Sequence, residues 1–341
     1  NNFKFNILKF IEINQEVLMT ANTYRIGIVG LGSMGQNHLR NLNLIRSVRV
    51  NFLYDIDITK SRMLAIEYKT ESLDSIEKIP ENTDAVIICT PTSTHLDILK
   101  SISSKIKFIL VEKPLTDNVS STNEAIKLLK SRKVSTQIGF IERYNNSTWT
   151  LKKLLENSKR VINIDFIRTN KLSSRINDVD VVLDLMIHDI DLAIYFNGIP
   201  ISVESYGFIS KGKIQFARAI LTHSNGVFSN IVASRITEKK IRKITATCDD
   251  MFVEANLLSK NVLVNKQTTQ QYLENISIIS RSESILVKPG ESLLIELLDF
   301  VKMIDGQNVS VPNQNDALNA IIIAEKIRKS IIRKETYETK Y

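Results

Sequence analysis

The run Arg25-Ile26-Gly27-Ile28-Val29-Gly30-Leu31-Gly32-Ser33-Met34-Gly35 constrains this chain more than any other, because an apolar strand passes through Gly30-x-Gly32-x-x-Gly35 straight into a helical segment. Such a turn holds a dinucleotide pyrophosphate. Gly30 permits the tight bend, Gly32 lets the backbone approach the phosphates, and Gly35 lets the helix pack against the strand. The N–H groups of the first helical turn, Ser33 and Met34 among them, then face the anion. Short glycine patterns also serve plain turns, so context decides. The second apolar run, Val48 to Tyr54, ends at Asp55, about twenty residues past the last glycine, where a carboxylate accepts hydrogen bonds from the adenosine ribose diol. Asp55 favours NAD over NADP. A nicotinamide-dependent enzyme is expected; the alternative is a structural βα turn followed by a helix-capping aspartate.

At 341 residues the chain exceeds one ordinary core, and about 150 residues per domain predicts two domains. Hydrophobic residues at 43% and charged ones at 24% match a globular protein. The two cysteines, Cys89 and Cys248, lie far apart without a CxxC or Cys/His cluster. That argues against a disulfide framework and a zinc site and fits a reducing cytoplasm. In residues 1–21, Lys4, Lys9, Glu12 and Glu16 interrupt the apolar positions, so no signal peptide or spanning helix is expected. Met19-Thr20-Ala21 reads as a natural start, which leaves residues 1–18 upstream of it within an N-terminal extension that runs over 1–21. The net charge of +8 is spread out. Its densest groups, Lys239-Lys240-x-Arg242-Lys243 and Lys326 to Lys334, carry no aromatic platform or helix-turn-helix pattern, so no nucleic-acid or membrane partner is expected. They read as solvated faces with a bias toward phosphorylated small molecules.

Beyond Asp55, strand-like and helical runs alternate up to Phe140, which implies right-handed crossovers and a parallel sheet. Residues 22–140 are therefore expected to form an α/β, doubly wound nucleotide domain. From residue 141 to 335 the pattern changes. A helix from Thr148 to Asn157 and the strand-like Val161 to Thr169 lead to one internal helix, Val181 to Phe196. Strand-like runs follow at 201–209, 214–221, 227–236, 241–248 and 251–257, and helices near 292–304 and 316–332 close the chain. This order predicts an α+β domain with a largely antiparallel sheet, the last helix being free to pack back on the first domain.

Ligands of open α/β sheets bind beyond the carboxyl ends of the strands. There the loop Thr90-Pro91-Thr92-Ser93-Thr94-His95 can line the nicotinamide ribose, although Thr92 or Ser93 can equally cap the next helix. The next strand ends in Glu112-Lys113-Pro114, where Pro114 restricts Lys113 to an extended backbone and gives its ammonium a fixed aim. In the internal helix, Asp184 and His188 stand at i and i+4, on one face, with Asp191 a turn further on. A carboxylate and an imidazole in an apolar helix need partners if buried, so this face is read as active-site; alternatively Asp184 and Asp189 merely satisfy a buried histidine.

Gly30-x-Gly32-x-x-Gly35, Glu112-Lys113-Pro114 and Asp184-x-x-x-His188-Asp189-x-Asp191 stand in the order and spacing of the Gfo/Idh/MocA family of glucose–fructose oxidoreductases and inositol dehydrogenases, which the chain resembles over about residues 22 to 330. The resemblance implies a Rossmann domain, an open-faced sheet domain used for substrate binding and for pairing into a homodimer or homotetramer, and catalysis by Lys113, Asp184 and His188. The glycine-rich stretch common ahead of the catalytic helix is replaced by Ser174 to Val182. With Gly139 to Asn145, this resembles the subgroup that oxidises C3 of UDP-N-acetylglucosamine for surface-glycan or lipid A synthesis. Arg143, Tyr144, Arg168 and Arg175 become candidate substrate contacts with Asp184 and His188, the arginines offering forked donors to a diphosphate or, alternatively, pairing with Glu142 or Asp178. Oxidation of a free sugar or inositol, and a non-catalytic nucleotide sensor, are the alternatives.

Overall fold

In the computed structural model, which describes residues 23–171, 179–272 and 275–338, the chain divides into two units. One extends to Thr116 and takes in Ser120–Gly139 and Leu293–Gln314; the other holds Asp117–Val119, Phe140–Ser292 and the chain from Asn315 on. The expectations for residues 1–21 and for Arg175 and Asp178 lie outside the described residues.

The first unit is a six-stranded sheet of β1 (Tyr24–Val29), β2 (Val48–Tyr54), β3 (Glu71–Ser72), β4 (Ala85–Ile88), β5 (Phe108–Glu112) and β6 (Ser135–Gly139), in the order β3-β2-β1-β4-β5-β6. Every pairing is parallel. Helices α1 (Ser33–Leu42), α2 (Ile58–Glu67), α3 (His95–Ile102) and α4 (Val119–Ser131) follow β1, β2, β4 and β5 in the chain. Because crossovers cover both faces, the central strands are apolar without alternation. Ile26, Ile28, Val29 and all of Ala85–Ile88 are fully buried, each large side chain contributing about 1.5–3 kcal/mol. The strand order reverses between β1 and β4, so the ends of these strands flank the switch-point crevice. At the β6 edge, Pro312 accepts a hydrogen bond from Ile138 N at 2.8 Å, returning the chain after α7 (Ser292–Ile304) to a backbone donor that an edge strand would leave open.

The second unit begins with α5 (Asn146–Glu156), which Asn145 caps through Ser147 N, and β7 (Val161–Thr169). A π-helical turn at Val182–Met186 and α6 (Ile187–Asn197) precede β8 (Pro200–Ser210), β9 (Lys213–His223), β10 (Phe228–Ser234), β11 (Ile241–Cys248), β12 (Phe252–Asn256), β13 (Asn261–Tyr272) and β14 (Asn275–Ile285), and α8 (Gln314–Glu338) ends it. The eight strands run β14-β13-β12-β11-β7-β10-β9-β8, all antiparallel except β7 with β10. On the covered face of β7, Ile164, Phe166 and Arg168 are buried, whereas Ile167 on the other face is exposed. Ala217, Ala219, Ala233, Ala246 and Ala255 have no exposure at all, and α8 lies close enough that Ile331 touches Gly207.

Two expectations change. The helix expected at Val181–Phe196 is wound as a π turn over its first part. The β13–β14 hairpin follows none of the expected strands, because Gln267-Thr268-Thr269-Gln270-Gln271 offers no apolar alternation to read.

Candidate active site

At the end of β1 the backbone of Gly30 turns with φ +91°, and a Cβ there would meet Thr90 N at 2.7 Å. A Cβ on Gly35 would lie 1.9 Å from the Gly30 carbonyl, so α1 can start here only with glycine. Gly32, by contrast, has nothing within 4 Å of its absent side chain and caps α1 without a side-chain hydrogen bond. The first N–H groups of α1, from Ser33 and Met34, are therefore left for a ligand. Asp55 holds this turn from below, accepting from Leu31 N at 2.6 Å and from Asp57 N at 2.9 Å. Pro91 and Thr92 sit at the start of a short helical turn, Thr92–Thr94, and the Thr90 hydroxyl accepts from Thr94. The side chain of His95 is turned into the interior. It is 1% exposed, its Nε2 is 2.9 Å from the Thr90 carbonyl and its Nδ1 is 3.1 Å from that of Pro114. The ring thus ties the loop after β4 to the loop after β5, and burial lowers its pKa against the pull of these carbonyls.

Glu112, the last residue of β5, is buried, and its Oε1 lies 2.7 Å from Nε2 of the fully buried His38 on α1. Its Oε2 accepts from Lys113 N at 3.3 Å. This pair fixes the strand end from which half-buried Lys113 emerges. Cys89 completes the cluster, its sulfur within 4.8 Å of the His38 and Glu112 ligand atoms; burial, then Glu112 and Glu296, push its thiol well up, so it is no nucleophile. Neither His38 nor Glu296 belongs to a motif, and the sequence reading passes over both.

In the second unit, Asp180 accepts from Val182 N at 3.0 Å and from Leu183 N at 3.2 Å, starting the π turn that carries Asp184. Such turns recur at functional sites. Asp184 and His188 are both half-buried, whereas Asp189 and Asp191 are buried, so the helix divides its polar residues between an open side and the interior. Arg235, 3% exposed, holds the Asp184 carboxylate at 2.8 Å. Nδ1 of His188 is shut off from solvent.

Two of the arginines expected at the substrate, Arg143 and Arg168, are bound up in ion pairs within the second unit. Arg168 is 2% exposed; it grips Asp189 with Nε and Nη2, each at 2.8 Å, and Glu142 with Nη1 at 2.7 Å. Arg143 turns Nε and Nη2 to Asp191 at 2.8 and 2.6 Å and Nη2 also to Asp316 at 3.0 Å, its guanidinium 4.7 Å from the Tyr195 ring. Burial alone would lower both guanidiniums, but these carboxylates reverse it and hold them above the ordinary arginine value. Buried charges must be paired, and this pairing leaves Arg143 and Arg168 as framework. Asp189 therefore serves Arg168 rather than His188. Tyr144 is 8% exposed within the same unit.

The strand order, the switch-point turn and Asp55 define the class: a dinucleotide-binding dehydrogenase domain joined to a second, sheet-based unit. Residues 24–140 match the family described as "Oxidoreductase family, NAD-binding Rossmann fold" (Gfo/Idh/MocA). The chain is an NAD-binding oxidoreductase. It is 26% identical over 282 residues to UDP-N-acetylglucosamine 3-dehydrogenase of Acidithiobacillus ferrooxidans, covering 82% of this chain and 88% of that one. Inositol 2-dehydrogenase of Rhizobium meliloti is 23% identical over 332 residues, 92% of this chain and 98% of that one. The solved structure of the Acidithiobacillus enzyme superposes with a TM-score of 0.81 at 24% identity, covering 90% of this chain and 97% of that one, which is likeness of fold.

Proposed function

We propose that this chain oxidises the C3 hydroxyl of UDP-N-acetylglucosamine to the 3-keto nucleotide sugar, for surface-glycan or lipid A synthesis. The observation that carries the reading is the similarity to UDP-N-acetylglucosamine 3-dehydrogenase across 88% of that enzyme's length. It is supported by a chain that supplies an ammonium at a strand end (Lys113) and a carboxylate with an imidazole on one helical segment (Asp184, His188). Gly30, Gly32, Gly35 and Asp55 would hold NAD, with the Thr90–Thr92 loop against its nicotinamide ribose. Bound there, NAD would supply the hydride acceptor for the C3 carbon. His188 takes the hydroxyl proton, because an imidazole titrates near working pH. Lys113 donates to the same oxygen and stabilises its alkoxide character. Asp184, pinned by Arg235, orients the sugar or His188. The reading places the enzyme in the cytoplasm, as a homodimer or homotetramer. Among the described residues no helix is long and apolar enough to cross a membrane.

A second reading, oxidation of inositol or a free sugar, draws on the similarity to inositol 2-dehydrogenase. Near-ultraviolet absorbance of NADH, followed with UDP-N-acetylglucosamine, free N-acetylglucosamine and myo-inositol, separates the two. NADH formation with the nucleotide sugar alone supports the first; formation only with inositol or the free sugar replaces it.

A further inference from the structure

Because the geometry takes Arg143 and Arg168 away from the substrate, a nucleotide-sugar diphosphate needs another cation in the second unit. Arg235 is also taken: besides Asp184 it donates to the carbonyls of Val179 at 2.7 Å and Asp180 at 3.3 Å. Arg242, at the start of β11, differs from all three. Its side chain is 37% exposed, and among the described residues it makes a single ion pair, from Nη1 to Glu142 Oε1 at 3.3 Å. That oxygen is already held by Arg168 at the shorter 2.7 Å.

The strand register fixes where this spare guanidinium stands. Arg242 lies directly opposite Arg168 in the antiparallel β7–β11 pair, so both side chains leave the same face of the sheet, the face on which Arg168 meets Asp189 of α6. It is near enough to Asp189 and Asp184 for their charges to act on it. Like charges placed opposite each other in a sheet are destabilising, and Glu142 is shared between them, so an anion on Arg242 relieves a repulsion built into the fold. Lys239 and Lys240, just before β11, are exposed and form no ion pair among the described residues. The first of them is fastened to the end of β7, its carbonyl accepting from Thr169 Oγ1 at 2.5 Å. A fork of which only Nη1 has a hydrogen-bond partner among the described residues, beside two lysines, suits a diphosphate, which takes bidentate hydrogen bonds and more than one positive charge.

We propose that Arg242, assisted by Lys239 and Lys240, anchors the diphosphate of the nucleotide-sugar substrate on the face of the sheet that carries Asp184. This rests on the nucleotide-sugar reading above and is tested separately from it. UDP and uridine are titrated calorimetrically into the full chain at saturating NADH, for the wild type, R242Q, R242K and the double variant K239Q/K240Q. The wild type is expected to bind UDP at least about tenfold more tightly than uridine, about 1.4 kcal/mol. R242Q should lose that margin while keeping the wild-type uridine affinity and NADH affinity, with a melting temperature no lower than the wild type's. R242K, which keeps the charge and loses the fork, should fall between and serves if R242Q does not fold; K239Q/K240Q should lose a few-fold and show a weaker salt dependence. A wild type that prefers UDP with an R242Q and an R242K that prefer it equally overturns the anchor and leaves the nucleotide-sugar reading standing. A wild type that binds UDP no better than uridine overturns both.

Discussion

Arg235 holds the Asp184 carboxylate at 2.8 Å from a site where only 3% of the arginine is exposed. The guanidinium is itself clamped by two main-chain carbonyls, so it fixes the direction of a carboxylate on the open side of the π turn. Replacing Arg235 with Met leaves Asp184 facing a buried apolar group and should cost about 3 kcal/mol of stability. Turnover should fall at least about tenfold with NADH affinity unchanged, and Arg235→Lys should recover part of it. Urea unfolding, steady-state kinetics and NADH titration check this; wild-type turnover in Arg235→Met would remove Asp184 from the chemistry.

Lys113 emerges beside a buried imidazole–carboxylate pair, His38 and Glu112, that anchors the strand end through the Lys113 backbone N–H. Lys113→Ala should therefore keep the fold and the NADH affinity while lowering turnover by about two to four orders of magnitude, the range for a lost proton donor. Stopped-flow kinetics beside an NADH fluorescence titration measures both. Turnover within a few-fold of the wild type would exclude Lys113 from the reaction.

What the sequence discloses depends on how local the physics is. The β1 turn, its glycines and Asp55 lie in one short stretch and obey fixed spacing, and the parallel alternation follows from β-branched runs separated by helices. The saturation of Arg143 and Arg168 was not legible, because Asp191, Asp316 and Asp189 reach them from distant parts of the chain. Nor was the π turn at Val182–Met186: its apolar pattern is that of an ordinary helix, and the Asp180 carboxylate and Arg328, which meet at 2.6 Å where the turn begins, belong to separate segments. Arg242 stood inside a basic cluster that looked like solvated surface until β7 set a second guanidinium opposite it.

The glycines of the turn separate folding from binding. A methyl group on Gly35 falls 1.9 Å from the Gly30 carbonyl, a backbone atom that cannot yield. Gly35→Ala should thus destabilise the first unit by several kcal/mol and broaden its unfolding. A methyl group on Gly32 meets no atom within 4 Å, although at a helix N-cap the change from Gly to Ala costs on the order of 1 kcal/mol. Gly32→Ala should keep the wild-type melting temperature within a few degrees yet weaken NADH binding about tenfold or more, since the methyl enters the space the pyrophosphate needs. Calorimetry with and without NADH checks the pair, and unchanged NADH affinity in Gly32→Ala would move the pyrophosphate elsewhere.

Glu296, on α7, is fully buried, and neither of its carboxyl oxygens has a hydrogen-bond partner among the described residues. Burial first, and the Glu112 carboxylate second, push its carboxyl well above the ordinary value. The folded protein thus holds a proton that the unfolded chain releases near pH 4.3, the unperturbed glutamate value. A raised carboxyl contributes in full below that pH, and its contribution is lost as pH rises toward the folded pKa, at up to about 1.4 kcal/mol per unit. Glu296→Met keeps the length and removes the buried polar group, so it should stabilise the first unit, and by more at about pH 8 than at about pH 5. Urea midpoints of wild type and variant at both pH values measure the difference; an equal gain at the two would mean that Glu296 carries no proton in the folded state.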